Sequence, residues 1–254
     1  MFSEANIPPK TLPISSRLPL QVGGSASEQE LETGTFLPLM EMFYSIQGEG
    51  FHTGAPAFFI RLGGCDVGCH WCDVKESWEV ENHSVKSINE IISEAESSGA
   101  KTIIVTGGEP LMYDLSSLTE KGRNKKFNLH LETSGAYPLT GEWDWICLSP
   151  KKNKEPLSEI YQHANELKVI VYNKDDFRFA EVAAKQFIST APLLRFSVSV
   201  AESESGRTGE SVRPLFLQPE WNRREAMLPL IVDYVKENPH WRISIQTHKY
   251  IGVR

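Results

Sequence analysis

The sequence lacks several features that would assign it to common protein classes. No apolar run of about 18 residues is present, so a membrane-spanning helix is not expected. Positive charge is not in excess, since the formal net charge is −7, whereas a protein that coats nucleic acid is basic. The N-terminal residues lack the basic-then-apolar order of a secretory signal. We therefore expect a cytoplasmic protein that binds neither membrane nor nucleic acid.

Cysteine is scarce and unevenly placed. Three of the four cysteines, Cys65, Cys69 and Cys72, lie in the single segment GGCDVGCHWCDVKESW. In a reducing compartment such clusters serve metal binding or catalysis more often than disulfides, and loop cysteines this close rarely reach disulfide geometry. The fourth, Cys147, lies far along the chain on a predicted strand beside Trp143 and Trp145, where we expect a buried thiol.

A second CxxC pair, which structural zinc sites usually have, is also missing. His70 would complete a Cys₃His set, but it lies between two of the cysteines and would be strained in binding their metal. The other interpretation is a [4Fe–4S] cluster held by three thiolates. One iron of that cluster would remain open to the amine and carboxylate of an amino acid, and Trp71 would supply a flat face beside it. The spacing alone leaves both interpretations open.

The organisation along the chain predicts an α/β protein. Residues 1–36 are rich in Pro, Ser, Gly and Glu and predict a loose N-terminal extension, so that residues 37–254 are expected to form the folded domain. Strands are predicted at 57–62, 102–106, 128–135, 143–150, 166–172, 193–200, 214–220 and 241–249, with a polar loop at 201–213. Helices are predicted at 88–95 (ending at Gly99), 115–121, 175–187 and 223–236, where Pro229 would kink the last helix or mark its start. This alternation favours a mostly parallel sheet, either doubly wound or curled as a partial (β/α) barrel.

Polar motifs follow six of these strands. In chain order they are GGC, GGEP, ETSG, SPK, QPE and QTHK. Because ligands gather at the carboxyl ends of parallel strands, these motifs are expected to form one active-site rim. Glu132 and His248 belong to this rim, with roles left open, and His248 is equally compatible with a structural histidine.

Several of these motifs carry a resemblance to known proteins. CxxxCxxC with Trp71 before its last cysteine resembles the signature of the radical S-adenosylmethionine (SAM) superfamily. GGEP on a later strand end strengthens that resemblance, the alternative being a tight turn. The segment EMFYSIQGEGFHTGAPAFFIRLGGCDVGCHWCD, followed by TGGEP, LETSG, SPK, ELK, LQP and QTHKYIGVR, resembles the 7-carboxy-7-deazaguanine synthase family. This resemblance extends from about Leu37 to Arg254.

The resemblance implies a reaction, cofactors and partners. The reaction is conversion of 6-carboxy-5,6,7,8-tetrahydropterin to 7-carboxy-7-deazaguanine with loss of ammonia, in queuosine and 7-deazapurine biosynthesis. A [4Fe–4S] cluster and SAM would generate a 5′-deoxyadenosyl radical that removes hydrogen from C6 of the pterin. A homodimer and an electron donor such as flavodoxin or ferredoxin are also implied.

The resemblance also implies roles for individual positions. The cluster ligands would be Cys65, Cys69 and Cys72. SAM would be bound by Trp71, Cys72, Asp73, Gly108, Ser149, Pro150, Lys151, Gln218 and Pro219. The substrate would be bound by Ile46, Gln47, Gly48, Glu49, Arg61, Thr106 and the terminal carboxylate of Arg254. A guanidinium such as Arg61 suits the substrate carboxylate, and Glu49 suits the guanidine-like edge of the pterin.

One position departs from the family pattern. Where the family commonly has Cys-Asp-Thr, with the threonine hydroxyl a ligand of Mg²⁺, this chain has Cys72-Asp73-Val74. Valine has no side-chain oxygen and cannot bind a hard cation that prefers oxygen ligands. Either substrate, water and a carboxylate such as Asp73 or Glu76 hold Mg²⁺, or this chain works without it.

Two other functions remain as alternatives. A glycyl-radical activase would share the cluster motif but has no evident need for FYSIQGEG, SPK or QTHK. A non-catalytic zinc or iron–sulfur module that binds a partner would need only the cysteines. Iron content and colour distinguish a zinc module from a cluster protein.

Overall fold

The first strand lies next to two others in antiparallel orientation. In this computed structural model, which describes residues 34–190 and 213–254, β1 (Phe36–Ile46) pairs with β2 (Pro56–Leu62) on one side and with β3 (Ser84–Ser87) on the other. The remaining strands are β4 (Thr102–Gly107), β5 (Asn128–Thr133), β6 (Trp145–Leu148), β7 (Glu166–Val171), β8 (Leu215–Pro219) and β9 (Trp241–Ile243). The helices are α1 (Ile88–Ser97), α2 (Ser116–Asn124), α3 (Ser158–His163), α4 (Asp175–Ser189), α5 (Arg224–Glu237) and α6 (Thr247–Ile251).

The sheet is open but curled. Its strand order is β3-β1-β2-β4-β5-β6-β7-β8-β9, and every pair from β2 to β9 is parallel. The loop after β1 nevertheless meets residues after β9: Gly50 N donates to Ser244 Oγ at 3.0 Å, and Thr247 N donates to Gly48 O at 2.9 Å. These bonds bring strands together that are distant in the sheet order, as expected of a partial barrel. Within the described residues the edge strands β3 and β9 do not pair with each other, so the barrel is not closed.

The outer face of the sheet carries the main core. Along β2, the apolar side chains of Phe58, Ile60 and Leu62 face the helices, because alternate residues of a strand point to opposite sides. Helix α1 adds the buried side chains of Ile88, Ile91, Ile92 and Ala95 to the same core. Burying one such side chain contributes about 1.5–3 kcal/mol. The inner face carries a small apolar cluster of Ala57, Phe59 and Ile104, together with polar side chains and a cavity.

Most predicted elements are confirmed. The strands predicted at 57–62, 102–106 and 166–172 match β2, β4 and β7 closely, and the helix predicted at 88–95 is α1, with Gly99 following it. The start of α1 is specified locally, since Ser87 and Glu90 form a capping box. The helix predicted at 115–121 extends to Asn124 as α2, and the helix predicted at 175–187 extends to Ser189 as α4.

Some predictions are wrong or incomplete. The strand predicted at 241–249 ends at Ile243, and residues from Thr247 onwards are helical. Pro229 does not start α5, which begins at Arg224 and continues through the proline. Strands β1 and β3 and helix α3 were not predicted. The strand predicted at 193–200 and all but the last residue of the loop at 201–213 lie outside the described residues.

No helix in residues 34–190 and 213–254 is long and apolar enough to cross a membrane.

Candidate active site

A cavity of about 320 Å³ opens at the carboxyl ends of the parallel strands. The motifs GGC, GGEP, ETSG, SPK and QTHK all contribute residues to its wall, which confirms a common rim. From QPE only Gln218 lines it, since Glu220 is buried and its carboxylate instead accepts hydrogen bonds from the amides of Asn222 and Arg223.

The cysteine loop is held in place from two sides. At its start, Gly64 N donates to Ser77 O at 2.6 Å, and Cys65 N donates to Trp78 O at 3.2 Å. Opposite, Lys154 Nζ lies 2.7 Å from Asp66 Oδ2. The loop therefore has a fixed path, and its three thiols, which are partly exposed and form no disulfide, line the cavity. Burial raises the pKa of Cys65 to about 11, so binding a metal there must displace a thiol proton.

The donor set fits an iron–sulfur cluster better than a single metal ion. Within the described residues, no three His, Cys, Asp or Glu side chains lie close enough together to hold one ion. This arrangement disfavours the Cys₃His zinc site, and the His70 ring packs edge-on against Tyr172, 4.9 Å between centroids. In a four-iron cluster each thiolate binds a different iron, so the three sulfurs lie farther apart than around zinc. Cys147 does not line the cavity and is buried in β6, as expected.

GGEP links the cysteine loop to the end of β5. Gly108 lies so close to this loop that an added Cβ would be 2.0 Å from Gly64 O, so no larger residue fits there. Glu109 is buried, and its carboxylate accepts hydrogen bonds from Thr133 Oγ1 at 2.6 Å and from both the amide and the hydroxyl of Ser134. GGEP is therefore more than a tight turn, because its carboxylate fixes the neighbouring strand end.

The SPK motif places a lysine near the cysteine loop. Lys151 Nζ donates to the carbonyl and the hydroxyl oxygens of Ser149, both at 2.6 Å, and lies 5.8 Å from the Trp71 ring centroid. Burial lowers the pKa of Lys151. Ser149 and Lys151 line the cavity, whereas Pro150 and Pro219 do not.

A buried lysine joins two carboxylates in the cavity floor. Lys168, on β7, is 4% exposed in its side chain, and its Nζ lies 2.5 Å from Glu49 Oε2 and 3.3 Å from Glu132 Oε2. Burial alone would raise the pKa of Glu49, but the charge and hydrogen bond of Lys168 outweigh it and lower the pKa to about 2. Gln246 Nε2 donates to Glu49 Oε1 at 2.8 Å, and Gln47 Nε2 donates to Glu132 Oε1 at 2.8 Å. Glu49 is thus held as an anion, and these contacts fix the orientation of both carboxylates.

The C-terminal segment packs directly on the QGEG loop. A Cβ at Gly48 would lie 2.0 Å from His248 Nδ1, so glycine is needed for this approach. Both His248 and Gly48 line the cavity. Burial lowers the pKa of His248, which favours the neutral imidazole.

Arg61 and the last residue meet at one carboxylate. Arg61 Nε lies 2.9 Å from Glu41 Oε1, and Arg254 Nη1 lies 3.5 Å from Glu41 Oε2. Ser45 Oγ donates to Arg254 O at 2.6 Å, which ties the end of the chain to β1. Thr106 stands opposite Arg61 in the register of β2 and β4. All seven residues predicted to bind substrate line the cavity: Ile46, Gln47, Gly48, Glu49, Arg61, Thr106 and Arg254.

The wall beside the last cysteine lacks the oxygen ligand discussed above. Val74 lines the cavity, and Asp73 Oδ2 lies 2.5 Å from Lys249 Nζ and 3.2 Å from Gln246 Nε2. Glu76 is exposed and does not line the cavity. The residues present therefore do not fit the Mg²⁺ site that the family pattern implies.

Sequence reasoning assigned no role to Lys168, Gln246 or Lys249, although the last two belong to the QTHK motif that was expected at the rim. A signal existed for Lys168, because polar Glu166 and Lys168 alternate with apolar residues in ELKVIV, as expected of a strand with one polar face. No sequence pattern shows that Gln246 and Lys249 lie against Asp73, because this contact requires the sheet to curl.

Comparisons with known proteins agree with this geometry. The profile of the Radical SAM superfamily matches residues 59–147. The 7-carboxy-7-deazaguanine synthase of Flavobacterium psychrophilum is 53% identical over 223 residues, which cover 88% of this chain and 95% of that protein. The enzyme of the same name from Synechocystis sp. is 46% identical over 217 residues, which cover 85% of this chain and 93% of that protein. The crystal structure of QueE from Escherichia coli is similar in fold, with a TM-score of 0.66, 29% identity, and coverage of 87% of this chain and 99% of that one.

Proposed function

The chain belongs to the 7-carboxy-7-deazaguanine synthase family of the radical SAM superfamily, and we propose that the cavity described above is its active site. It is a lyase that converts 6-carboxy-5,6,7,8-tetrahydropterin to 7-carboxy-7-deazaguanine with loss of ammonia, in queuosine and 7-deazapurine biosynthesis. The single observation that best supports the site is that the three thiols and the Glu49–Lys168–Glu132 network line one cavity.

The cofactor end of the cavity is assigned to the cysteine loop and its neighbours. The thiolates of Cys65, Cys69 and Cys72 would hold a [4Fe–4S] cluster. The residues that would bind SAM are Trp71, Cys72, Asp73, Gly108, Ser149, Lys151 and Gln218, all in the wall, together with Pro150 and Pro219 just outside it. When bound, the cluster and SAM supply a carbon radical that removes hydrogen from the substrate. The protein contributes orientation and the exclusion of water.

The substrate end is assigned to residues of β1, β2 and β4. Arg61 would bind the substrate carboxylate with the N–H groups that Glu41 leaves unused, since guanidinium has five donors. Glu49, ionised by its contact with Lys168, would accept hydrogen bonds from the aminopyrimidinone edge. Ile46, Gln47, Gly48, Thr106 and the carboxylate of Arg254 would complete the pocket.

Electron supply, assembly and location complete the proposal. A radical SAM enzyme needs a reductant, for which we propose a flavodoxin or ferredoxin in the cytoplasm.

We propose a homodimer by family resemblance. Exposed apolar side chains on α4, Val182 and Ile188, suit an interface. Light scattering at several protein concentrations is expected to give twice the mass of one chain.

Turnover by the reconstituted enzyme tests the proposed function. With reductant, SAM and the carboxytetrahydropterin, the wild type is expected to release 7-carboxy-7-deazaguanine and ammonia in equal amounts. The variant Cys65→Ala/Cys69→Ala/Cys72→Ala is expected to bind no cluster and make no product, whereas Cys147→Ala retains both. A fully loaded cluster without product would contradict the proposed function.

A further inference from the structure

A turn of residues 151–154 contacts the cysteine loop outside the cavity. Lys151 and Lys154 form an isolated antiparallel bridge across this turn. Lys151 lines the cavity, whereas Asn153 and Lys154 do not, and both of these side chains bond to the cysteine loop instead. The turn therefore reaches the proposed cluster site from two directions, one inside the cavity and one outside it.

Two contacts join the turn to positions directly beside cysteines. Asn153 Nδ2 donates to Gly68 O at 2.6 Å, one residue before the second cysteine of the motif. Lys154 Nζ donates to Asp66 Oδ2 at 2.7 Å, one residue after the first cysteine. Together they restrain the part of the loop that sets the separation of the first two thiols.

Tyr137 joins Lys154 and Asp66 into a network of three side chains. Its hydroxyl donates to Asp66 Oδ2 at 2.5 Å and accepts from Lys154 Nζ at 2.7 Å, and this Nζ lies 4.0 Å from the Tyr137 ring centroid. An isolated exposed ion pair stabilises a protein little. Here both charged groups also bond to a tyrosine that is only 7% exposed, so their movement is restricted.

We propose that Tyr137, Asn153 and Lys154 are positioning residues for the iron–sulfur cluster, and that the Lys154 ammonium offsets the negative charge of Asp66 beside it. They fix the path of the cysteine loop without binding iron, SAM or substrate. The charge matters because reduction adds an electron to the cluster, so a nearby cation favours the reduced form and a nearby anion disfavours it. This inference rests on the cluster assigned in the proposed function.

Loss of iron to a chelator measures how firmly the loop holds the cluster. Lys154→Met and Asn153→Ala are each expected to lose iron about threefold faster than the wild type or more, because the loop opens more often when a hydrogen bond is removed. Lys152→Met is the matched control, since Lys152 belongs to the same turn but its Nζ lies 2.5 Å from Asp176 Oδ1 on α4. It is expected to lose iron at the wild-type rate. A wild-type rate in Lys154→Met or Asn153→Ala, or an equal acceleration in Lys152→Met, would overturn the inference.

The reduction potential of the cluster separates the charge effect from a purely structural role. In a redox titration followed by electron paramagnetic resonance without SAM, Lys154→Met is expected to have a more negative potential than the wild type, and Asp66→Asn a more positive one. Lys154→Arg, which keeps the charge, is expected to keep the wild-type potential. Shifts of the same sign in Lys154→Met and Asp66→Asn, or no shift in either, would overturn the inference.

Neither measurement requires turnover of the pterin. A loaded cluster that gives no product would contradict the proposed function, while iron loss and potential would still test the positioning residues. Wild-type iron retention and potential in variants of an active enzyme would reject this inference alone.

Discussion

Lys168 shows how one residue organises a site built from distant parts of the chain. Its ammonium group bridges Glu49, from the loop after β1, and Glu132, from β5, while lying almost wholly inside the protein. An unpaired buried charge is costly, so the Lys168 ammonium and the Glu49 carboxylate stabilise each other in the ionised form. The anionic state of Glu49 is therefore a property of the fold and not of the QGEG motif alone.

Substitution of Lys168 is expected to damage both stability and turnover. Lys168→Met leaves two carboxylates without their cation, and removal of one partner from a buried ion pair typically costs about 3–5 kcal/mol. We expect that loss in the free energy of unfolding and a fall in kcat/KM. Urea denaturation and turnover measure the two effects. Lys236→Met, which removes a lysine 71% exposed in its side chain, is the control and is expected to change neither. A free energy of unfolding of Lys168→Met equal to that of the wild type would contradict a stabilising role of these ion pairs.

Acid is expected to destabilise the protein partly through Glu49. Its pKa in the folded protein, about 2, lies below the ordinary 4.5, so its contribution to stability is complete above pH 4.5 and is lost as pH falls towards 2. The shift corresponds to at most about 3 kcal/mol. Glu49→Gln, which does not titrate, is therefore expected to lose less stability than the wild type between pH 5 and the lowest pH at which both stay folded. Denaturant unfolding at a series of pH values measures the free energy of unfolding of both proteins. An equal dependence of that free energy on pH in the wild type and in Glu49→Gln would contradict the prediction.

At the scale of single residues, sequence reasoning identified those set by local motifs. The three thiols and the residues of QGEG and SPK lie in or beside the cavity as expected, because each motif follows a strand whose carboxyl end reaches the rim. Glu132 and His248 also reach the rim, as expected from the ends of their predicted strands. Lys168 was missed, and the contacts of Gln246 and Lys249 with Asp73 were not expected, because they depend on which strands become neighbours.

At the scale of elements, the C-terminal helix and the loop after β1 form one wall. An alanine Cβ at Gly48 would overlap the imidazole of His248, and overpacking of this kind costs about 1–3 kcal/mol. We expect Gly48→Ala to displace α6, reduce turnover and increase proteolysis near Lys249. Gly48→Ala/His248→Ala removes the ring and is expected to recover part of the proteolytic resistance. Wild-type resistance to protease in Gly48→Ala would contradict this packing.

The predicted elements were those with an uninterrupted pattern. The apolar runs of β4 and β7 and the helical period of α1 are visible in sequence. Strand β1 was missed because its second half is largely half-buried and shows neither alternation nor a continuous buried run. Residues 244–249 were assigned to a strand because WRISI alternates, but β9 ends at Ile243 and Ser244 turns to bond with Gly50 and Gln218.

At the scale of the whole molecule, the boundary of the catalytic domain is testable. The described sheet begins at Phe36, one residue before the predicted boundary, and every proposed site residue follows it. A chain that starts at Gly34 is expected to keep its melting temperature within a few degrees and its full kcat/KM. Thermal unfolding and turnover, compared with the full chain, measure this. Loss of most activity, or failure to fold, would contradict the assignment of residues 1–36 to an extension.

The bonds between the loop after β1 and residues 244–254 also bear on the order of events during synthesis. The cysteine loop is made early, whereas Gln246, His248 and Lys249, which complete the wall above it, are made after every other wall residue except Arg254. On a growing chain the three thiols have no cover from that wall. Access to the three thiols is therefore widest before the C-terminal helix docks, and docking narrows that access.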